Sequence, residues 1–381
     1  MKSTLIIVVT IIIIILGVIV GATLLLGGRE GGDGGSSTVR IGRSGGDQGV
    51  LISDDAGETW VPRARLSEKS GIGGIGIYDM VFVPQTDGEQ STSQMLMGSA
   101  GNGLFVSTTG TATATADWIR VVDPEGILAA NATIYEIAID PHDPRSVYLA
   151  VTQQNFGMVL RTHDGGETFS EIYRSPKAQS GVYTVAVDYD FPHMVYIGTS
   201  DGGFLTSNNR GESWSVRNWF ASPIRRLYIH PQDGNFMYLL FLGRDSARIE
   251  RSYDRGVIWQ ELKVTPPKGK NITGIFDLAF HPTDPNVLFL GTSAGVFKTA
   301  DAGATWEEFP LIIPPNLLPI TAIAVDPADT LKIYVAAATQ LYKSIDGGAT
   351  WQVHVIPTPN PVRMLKFGTL SSDMLWAGVR K

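Results

Sequence analysis

An all-β fold built from seven repeated units is what the sequence predicts, on three observations. An eight-residue phrase, Ser/Thr-x-Asp-x-Gly-x-Thr-Trp, recurs along the chain. An alternating apolar strand, often closed by Pro, recurs in phase with it. Past residue 38 there is no convincing helical periodicity, whereas period-two apolar runs bounded by Gly, Pro and Asp mark strands throughout.

The phrase reads SDDAGETW at Ser53–Trp60, THDGGETF at Thr162–Phe169, SNNRGESW at Ser207–Trp214, SYDRGVIW at Ser252–Trp259, TADAGATW at Thr299–Trp306 and SIDGGATW at Ser344–Trp351. A degraded seventh copy starts at Ser107 and reaches Asp117-Trp118 through the insertion TTGTATATA. Successive copies start 54, 55, 45, 45, 47 and 45 residues apart, and six of the eight Trp residues lie inside them, so chance is no explanation. The third position (Asp55, Asp164, Asn209, Asp254, Asp301, Asp346) accepts hydrogen bonds from following backbone N–H groups and closes an Asx-type turn. Gly at the fifth position supplies a positive φ, and the terminal aromatic (Trp60, Trp214, Trp259, Trp306, Trp351) inserts into an apolar layer. Asn209 keeps the acceptor but not the charge, which favours a structural role over acid catalysis.

The in-phase strands are Ile77–Pro84, Ile134–Pro141, Val182–Asp188, Ile224–Pro231, Ile275–Pro282, Ile320–Pro327 and Val362–Phe367. Short apolar strands such as Val195–Gly198 and Val287–Gly291 follow them, so each unit reads strand, turn, strand, hairpin, strand.

These repeats resemble Asp-box (BNR) repeats, found in sialidases, sortilin-type receptors, xyloglucan-cleaving glycosidases and the photosystem II stability/assembly-factor family. The resemblance covers residues 39–381 and implies a seven-bladed β-propeller with its boxes at the blade periphery. Val39–Gly42 and Leu375–Gly378 compete for one place in the blade that both ends of the chain complete. Starts of the innermost strands then form one mouth of the ring. Their second positions read Tyr78, Tyr135, Tyr183, Arg225, Phe276, Thr321 and Arg363, an aromatic and arginine composition suited to recognition. Arg226 adds a second guanidinium beside Arg225, loosely resembling the arginine patch of the assembly-factor family. The loop Phe309–Pro319, with Leu311 and Ile312, and the pair Trp219-Phe220 read as apolar contact surface.

Catalysis has thinner support. Asp79, Glu136 and Asp277 occupy the third position of three innermost strands and ring the central opening, either as solvated carboxylates of a water-filled channel or as a glycosidase pair. The sialidase opening motif is missing, since Val39-Arg40-Ile41-Gly42 lacks its Phe and Pro. The related xyloglucan-cleaving enzymes place their cleft between two propellers, and this chain has length for one.

Composition closes other routes. With no Cys there is no disulfide, thiolate metal site or cysteine nucleophile. A formal charge of −7 without a basic block argues against nucleic acid, the six His have no metal-ligand spacing, and no cofactor motif occurs. The uncharged run Leu5–Leu26 spans about 33 Å as a helix, enough for a bilayer core of about 30 Å. Residues 1–26 are therefore expected to form a single-pass signal anchor. Residues 27–38 form a Gly/Ser-rich tether with a mean span on the order of 18 Å, and 39–381 an extracytoplasmic head. The expected activity is non-catalytic binding of a protein or cell-envelope partner, with a glycan-active or glycan-binding propeller as the alternative.

Overall fold

The structure, a computed structural model, describes residues 49–63, 65–66, 75–83, 94–107, 117–243, 248–368 and 373–380. The expected anchor 1–26, the tether 27–38, the strand Val39–Gly42 and the insertion 108–116 lie outside the described residues. Among the described residues, no helix is long and apolar enough to cross a membrane.

Seven antiparallel sheets form the blades of a propeller. Blade 1 runs outward through Ile77–Val83, Gln94–Ser99, Leu104–Ser107 and Asp117–Arg120, with Arg65–Leu66 added in parallel at its edge. Blades 2 to 6 begin with Thr133–Asp140, Val182–Val187, Ile224–His230, Ile275–Phe280 and Ile320–Val325, each followed outward by three strands in chain order. Blade 7 takes its inner strands, Val362–Phe367 and Leu375–Val379, from the end of the chain and its outer strands, Val50–Ser53 and Val61–Pro62, from the start of the described residues. Leu375–Val379 thus holds the contested place in the closing blade.

Seven apolar clusters fill the seven junctions between neighbouring blades. Cluster members alternate along each strand because both faces of every sheet are covered. Tyr334, Ala336 and Leu341 of blade 6, for example, pack on Leu365, Leu375, Leu51 and Trp60 of blade 7. Closure of the ring leaves no broad sheet face to water.

Each box sits at the same end of its blade as the turn between the two inner strands. Backbone N–H groups of Gly165, Arg210, Ala302, Gly347 and Ala56 donate to Arg145, His193, Asn286, Leu331 and Asp373 of those turns. Within the box, Asp301 accepts from the Thr305 N–H at 2.8 Å and the Thr305 hydroxyl at 2.6 Å, while Thr299 Oγ1 accepts from the Gly303 N–H at 2.8 Å. Asn209 reproduces the acceptor contact, taking the Ser213 N–H at 3.0 Å. Ile258, which lacks the hydroxyl, still donates its N–H to Asp254 at 2.9 Å.

The box glycine has a second duty beyond its positive φ of +94° at Gly303 and Gly348. A Cβ there would stand 2.7 Å from Leu262 and 2.2 Å from Phe309 respectively, both belonging to the preceding blade or its exit loop. The turn therefore also packs one blade onto the one before. Of the terminal aromatics, Trp60, Trp118 and Phe169 are buried, whereas Trp214, Trp259, Trp306 and Trp351 are only half-buried, short of the full insertion expected. The indole N–H groups of Trp214 and Trp351 reach back to carbonyls of Ile172 and Pro310 on the preceding blade.

Candidate functional site

All seven innermost strands carry a β-bulge at the same place. The ladder slips between Ile77 and Asp79, Ile134 and Glu136, Val182 and Thr184, Ile224 and Arg226, Ile275 and Asp277, Ile320 and Ala322, and Val362 and Met364. A bulge leaves one residue outside the ladder and re-aims its side chain. The skipped residues are Tyr78, Tyr135, Tyr183, Arg225, Phe276, Thr321 and Arg363, and all seven line one cavity of about 300 Å³ at the mouth of the ring.

The funnel has two unlike halves. Tyr78, Tyr135 and Tyr183 form an edge-to-face ladder with successive centroids 4.8 Å apart. Opposite them, the Arg225 guanidinium lies over Phe276 and donates to the Ile275 carbonyl at 2.6 Å, and Arg363 keeps a buried Nε with no partner. Arg380, at the end of the chain, lies over the Tyr78 ring at 4.4 Å. Burial pulls the Arg225 and Arg363 guanidiniums below their ordinary pKa, with Arg380 adding to the effect on Arg363. Both remain charged at neutral pH, so the funnel offers poorly solvated cations beside aromatic faces.

Beneath this ring lies a second one, made of the third-position residues. Asp79 accepts the Ile137 N–H of the next blade at 3.0 Å, Glu136 the Val185 N–H at 3.1 Å, Thr184 the Leu227 N–H at 3.0 Å and Asp277 the Ile323 N–H at 2.8 Å. These clasps hold neighbouring blades together at the axis. Arg226, in the same register, instead bridges Glu136 at 3.1 Å and Asp79 at 3.8 Å, and Lys366 reaches Asp79 at 3.4 Å.

Asp79, Glu136 and Asp277 are each taken up in joining blades, Glu136 and Asp277 while also lining the funnel cavity. Asp79 is 2% exposed. Asp277 gives its other oxygen to the Tyr228 hydroxyl at 2.8 Å, and Glu136 also takes the Thr184 hydroxyl. Burial raises the Glu136 pKa against the pull of Arg226, with Asp79 adding to the rise. Burial opposes charge on Arg226 as well, but Tyr228, Glu136 and Asp79 hold it well above its ordinary value. Arg226 thus pairs with the carboxylates of its own ring while lining the funnel beside Arg225.

Of the apolar surface residues expected, Ile312 is 94% and Trp219 59% exposed. Phe220 is not surface: it is 6% exposed, packed edge-on against Phe241 and Trp259, because its N–H pairs with the Gly202 carbonyl and turns the ring inward. Leu311 is half-buried against the cluster between blades 5 and 6. Leu242 and Arg380 join the funnel wall without having been singled out in the sequence. His230 and His281 accept the N–H groups of Gln232 and Thr283 through Nδ1, standing in for the Asp of other strand-ending turns.

No family model matches the chain. A Neosartorya fischeri protein described as an oligoxyloglucan-reducing end-specific xyloglucanase is 34% identical over 199 residues, which is 51% of this chain and 20% of that protein. The xyloglucanase Xgh74A of Acetivibrio thermocellus is 32% identical over 193 residues, again 20% of its length. The chain therefore spans about a fifth of the length of the curated relatives it matches. Among solved structures, the GH74 xyloglucanase of Xanthomonas campestris is similar with a TM-score of 0.62 and 17% identity, over 80% of this chain and 51% of that one. YCF48 bound to D1 peptide is similar with a TM-score of 0.59 and 16% identity, over 81% of this chain and 94% of that one. At these identities the structural likeness shows the propeller fold alone.

Proposed function

We propose that the protein is a binding module, whose bulge-lined funnel takes an acidic, aromatic-containing segment of a partner protein. One observation carries this reading: seven bulges deliver seven variable side chains into one cavity, where four arginines and four aromatic faces outnumber the carboxylates Glu136 and Asp277, both of which are engaged in joining blades. Paired Arg and Tyr surfaces are the usual composition of interface hot spots. The likeness to the fold of YCF48 bound to D1 peptide is consistent with it. In this reading the head is held at a membrane by the apolar run Leu5–Leu26, outside the cytoplasm.

The test is an array of immobilised acidic, neutral and basic peptides probed with the full-length chain. Acidic peptides bearing Tyr or Phe are expected to be retained, and Arg363→Ala to lower retention about 30-fold, the effect of a hot-spot truncation of about 2 kcal/mol. Equal retention of acidic and basic peptides overturns the reading.

A second reading rests on the 34% identity with a xyloglucanase over half of the chain: the Tyr78–Tyr135–Tyr183 ladder is a sugar-stacking platform. Xyloglucan oligosaccharides that displace the acidic peptides, or that are cleaved by the wild type and not by Asp277→Asn, favour it. Cleavage would require Asp277 to leave both the Tyr228 hydroxyl and the Ile323 N–H.

A further inference from the structure

The two ends of the propeller carry opposite charge. The boxes and inner-strand turns among the described residues hold 18 Asp and Glu against four Arg and Lys. At the other end, the described loops between blades and outer hairpins hold Arg63, Lys177, Arg248, Lys263, Lys268 and Lys270 against Asp123, Glu125 and Asp201, and the funnel wall holds Arg225, Arg226, Arg363 and Arg380 against Glu136 and Asp277. Lys270 is tied to Glu308 of a neighbouring strand, and the other three lysines are solvent-exposed. A protein of formal charge −7 thus carries a local excess of positive charge around the mouth.

The same end bears projecting apolar side chains. Ile312 stands at the tip of a loop braced by Pro310, Pro314 and Pro315, whose neighbours Leu311, Ile313 and Leu317 pack down on the blades. Trp219, the last residue of its strand, pairs with Gly203 at the mouth end of blade 3, and Leu242 projects beside the funnel. Isolated apolar tips among lysines are what a surface resting in lipid headgroups needs: Trp and aliphatic tips settle at the interface while cations meet phosphate.

Chain connectivity points the same way. The Val379 N–H donates to the Gly49 carbonyl at 2.9 Å, and Val379 pairs with Val362, the first residue of an innermost strand. Gly49, the first of the described residues, therefore lies at the mouth end.

We infer that the mouth end is a membrane-facing surface that docks on a bilayer containing anionic phospholipid, with Ile312, Trp219 and Leu242 among the headgroups and the loop lysines against phosphate. The acidic box end faces water. This goes beyond the peptide reading, since it concerns the rim and not the funnel floor, although a funnel ligand would then have to approach from the membrane side.

Because the chain has no Cys, single nitroxide labels can be placed cleanly. The full-length chain bearing Ile312→Cys, or Ile345→Cys at the box end, is reconstituted into phosphatidylcholine vesicles with and without phosphatidylglycerol. The label at position 312 is expected to be relaxed several-fold more by oxygen than by a water-soluble nickel chelate, and the label at 345 the reverse. Phosphatidylglycerol should increase the contrast and high salt reduce it. Equal chelate access at the two positions overturns the proposal, and so does failure of the chain to float with the vesicles. If a protein covers this face instead of lipid, position 312 stays open to the chelate in these protein-free vesicles, which is the same overturning result. Retention of acidic peptides by Ile312→Ser at wild-type level would show that rim and funnel fail or succeed separately.

Discussion

At the box end, six turns repeat nearly one set of contacts: an Asp or Asn accepts the backbone N–H of the residue four places on, a hydroxyl accepts the glycine N–H, and in five of the six the glycine leans on the preceding blade. At the mouth end, seven bulges repeat one backbone geometry but present Tyr, Tyr, Tyr, Arg, Phe, Thr and Arg. One end keeps the residues and the other keeps only the backbone. Where a side chain is needed to close a turn its identity is constrained, and where the backbone already fixes direction the side chain is free to serve a ligand. The ring between them shows that residues near the axis also serve to join the blades.

The strongest way to break this comparison is at the periphery. Trp118 is fully buried and donates to the Arg63 carbonyl at 2.9 Å, although it ends the most degraded copy of the repeat. Trp118→Ala is expected to cost about 3–5 kcal/mol of stability, the range for truncating a buried large aromatic. A loss below about 1 kcal/mol in denaturant titration would mean that the degraded box has lost its structural role. The next largest effect lies at the axis. Arg226→Ala leaves Asp79 and Glu136 without their shared counter-ion, with Lys366 still near Asp79. Removing one partner of a buried ion pair costs roughly 3 kcal/mol. A substitution at Arg363 should leave stability nearly unchanged by comparison, so the pair of variants separates the clasp ring from the funnel ring in a single melting experiment.

Much of this was legible in the sequence. The repeated phrase gives the periphery directly, because an Asx turn and a positive-φ glycine are local chemistry. The bulge was legible too, but as a broken period: Ile77 and Met80, Val182 and Val185, Ile224 and Leu227, Ile275 and Leu278 are buried at a spacing of three where alternation would require two. That spacing places both intervening residues near the axis, with the second positions expected at the mouth, and does not show that the third positions join blades. Only the inter-blade amides decide it, and those belong to a strand 43 to 58 residues away. The burial of Phe220, next to the exposed Trp219, had no sequence signal because it depends on pairing with Gly202 across the hairpin.

Asp301 tests whether the box needs its charge or only its acceptor. Asp301→Ala removes acceptors for the Thr305 N–H and hydroxyl and should cost about 1–2 kcal/mol, the range for leaving hydrogen-bonding groups without partners. Asp301→Asn should cost less than about half of that, since Asn209 already makes the equivalent contact to the Ser213 N–H. Equal losses for Ala and Asn would show that the negative charge itself is required, and would make Asn209 a weakened box.

Acid titration gives the smallest effect and separates the two regions by sign. The Thr305 hydroxyl and N–H hold Asp301 down to a pKa of about 2 from an ordinary 3.8, and those of Thr350 do the same for Asp346. A carboxyl whose pKa is lower in the folded state contributes its stability fully above 3.8 and loses it as pH falls toward 2. Each box is solvent-exposed, so each contribution is small, but the boxes share one direction and should appear together as a fall in melting temperature across that window. Glu136 behaves oppositely: burial raises its pKa above 4.5, so folding favours its proton and its contribution weakens as pH rises past that value. Asp301→Asn should therefore flatten the acid limb of the melting profile and leave the limb above 4.5 untouched, whereas Glu136→Gln should do the reverse. If both variants flatten the same limb, the two rings do not titrate independently and charge is shared between the ends through the blades.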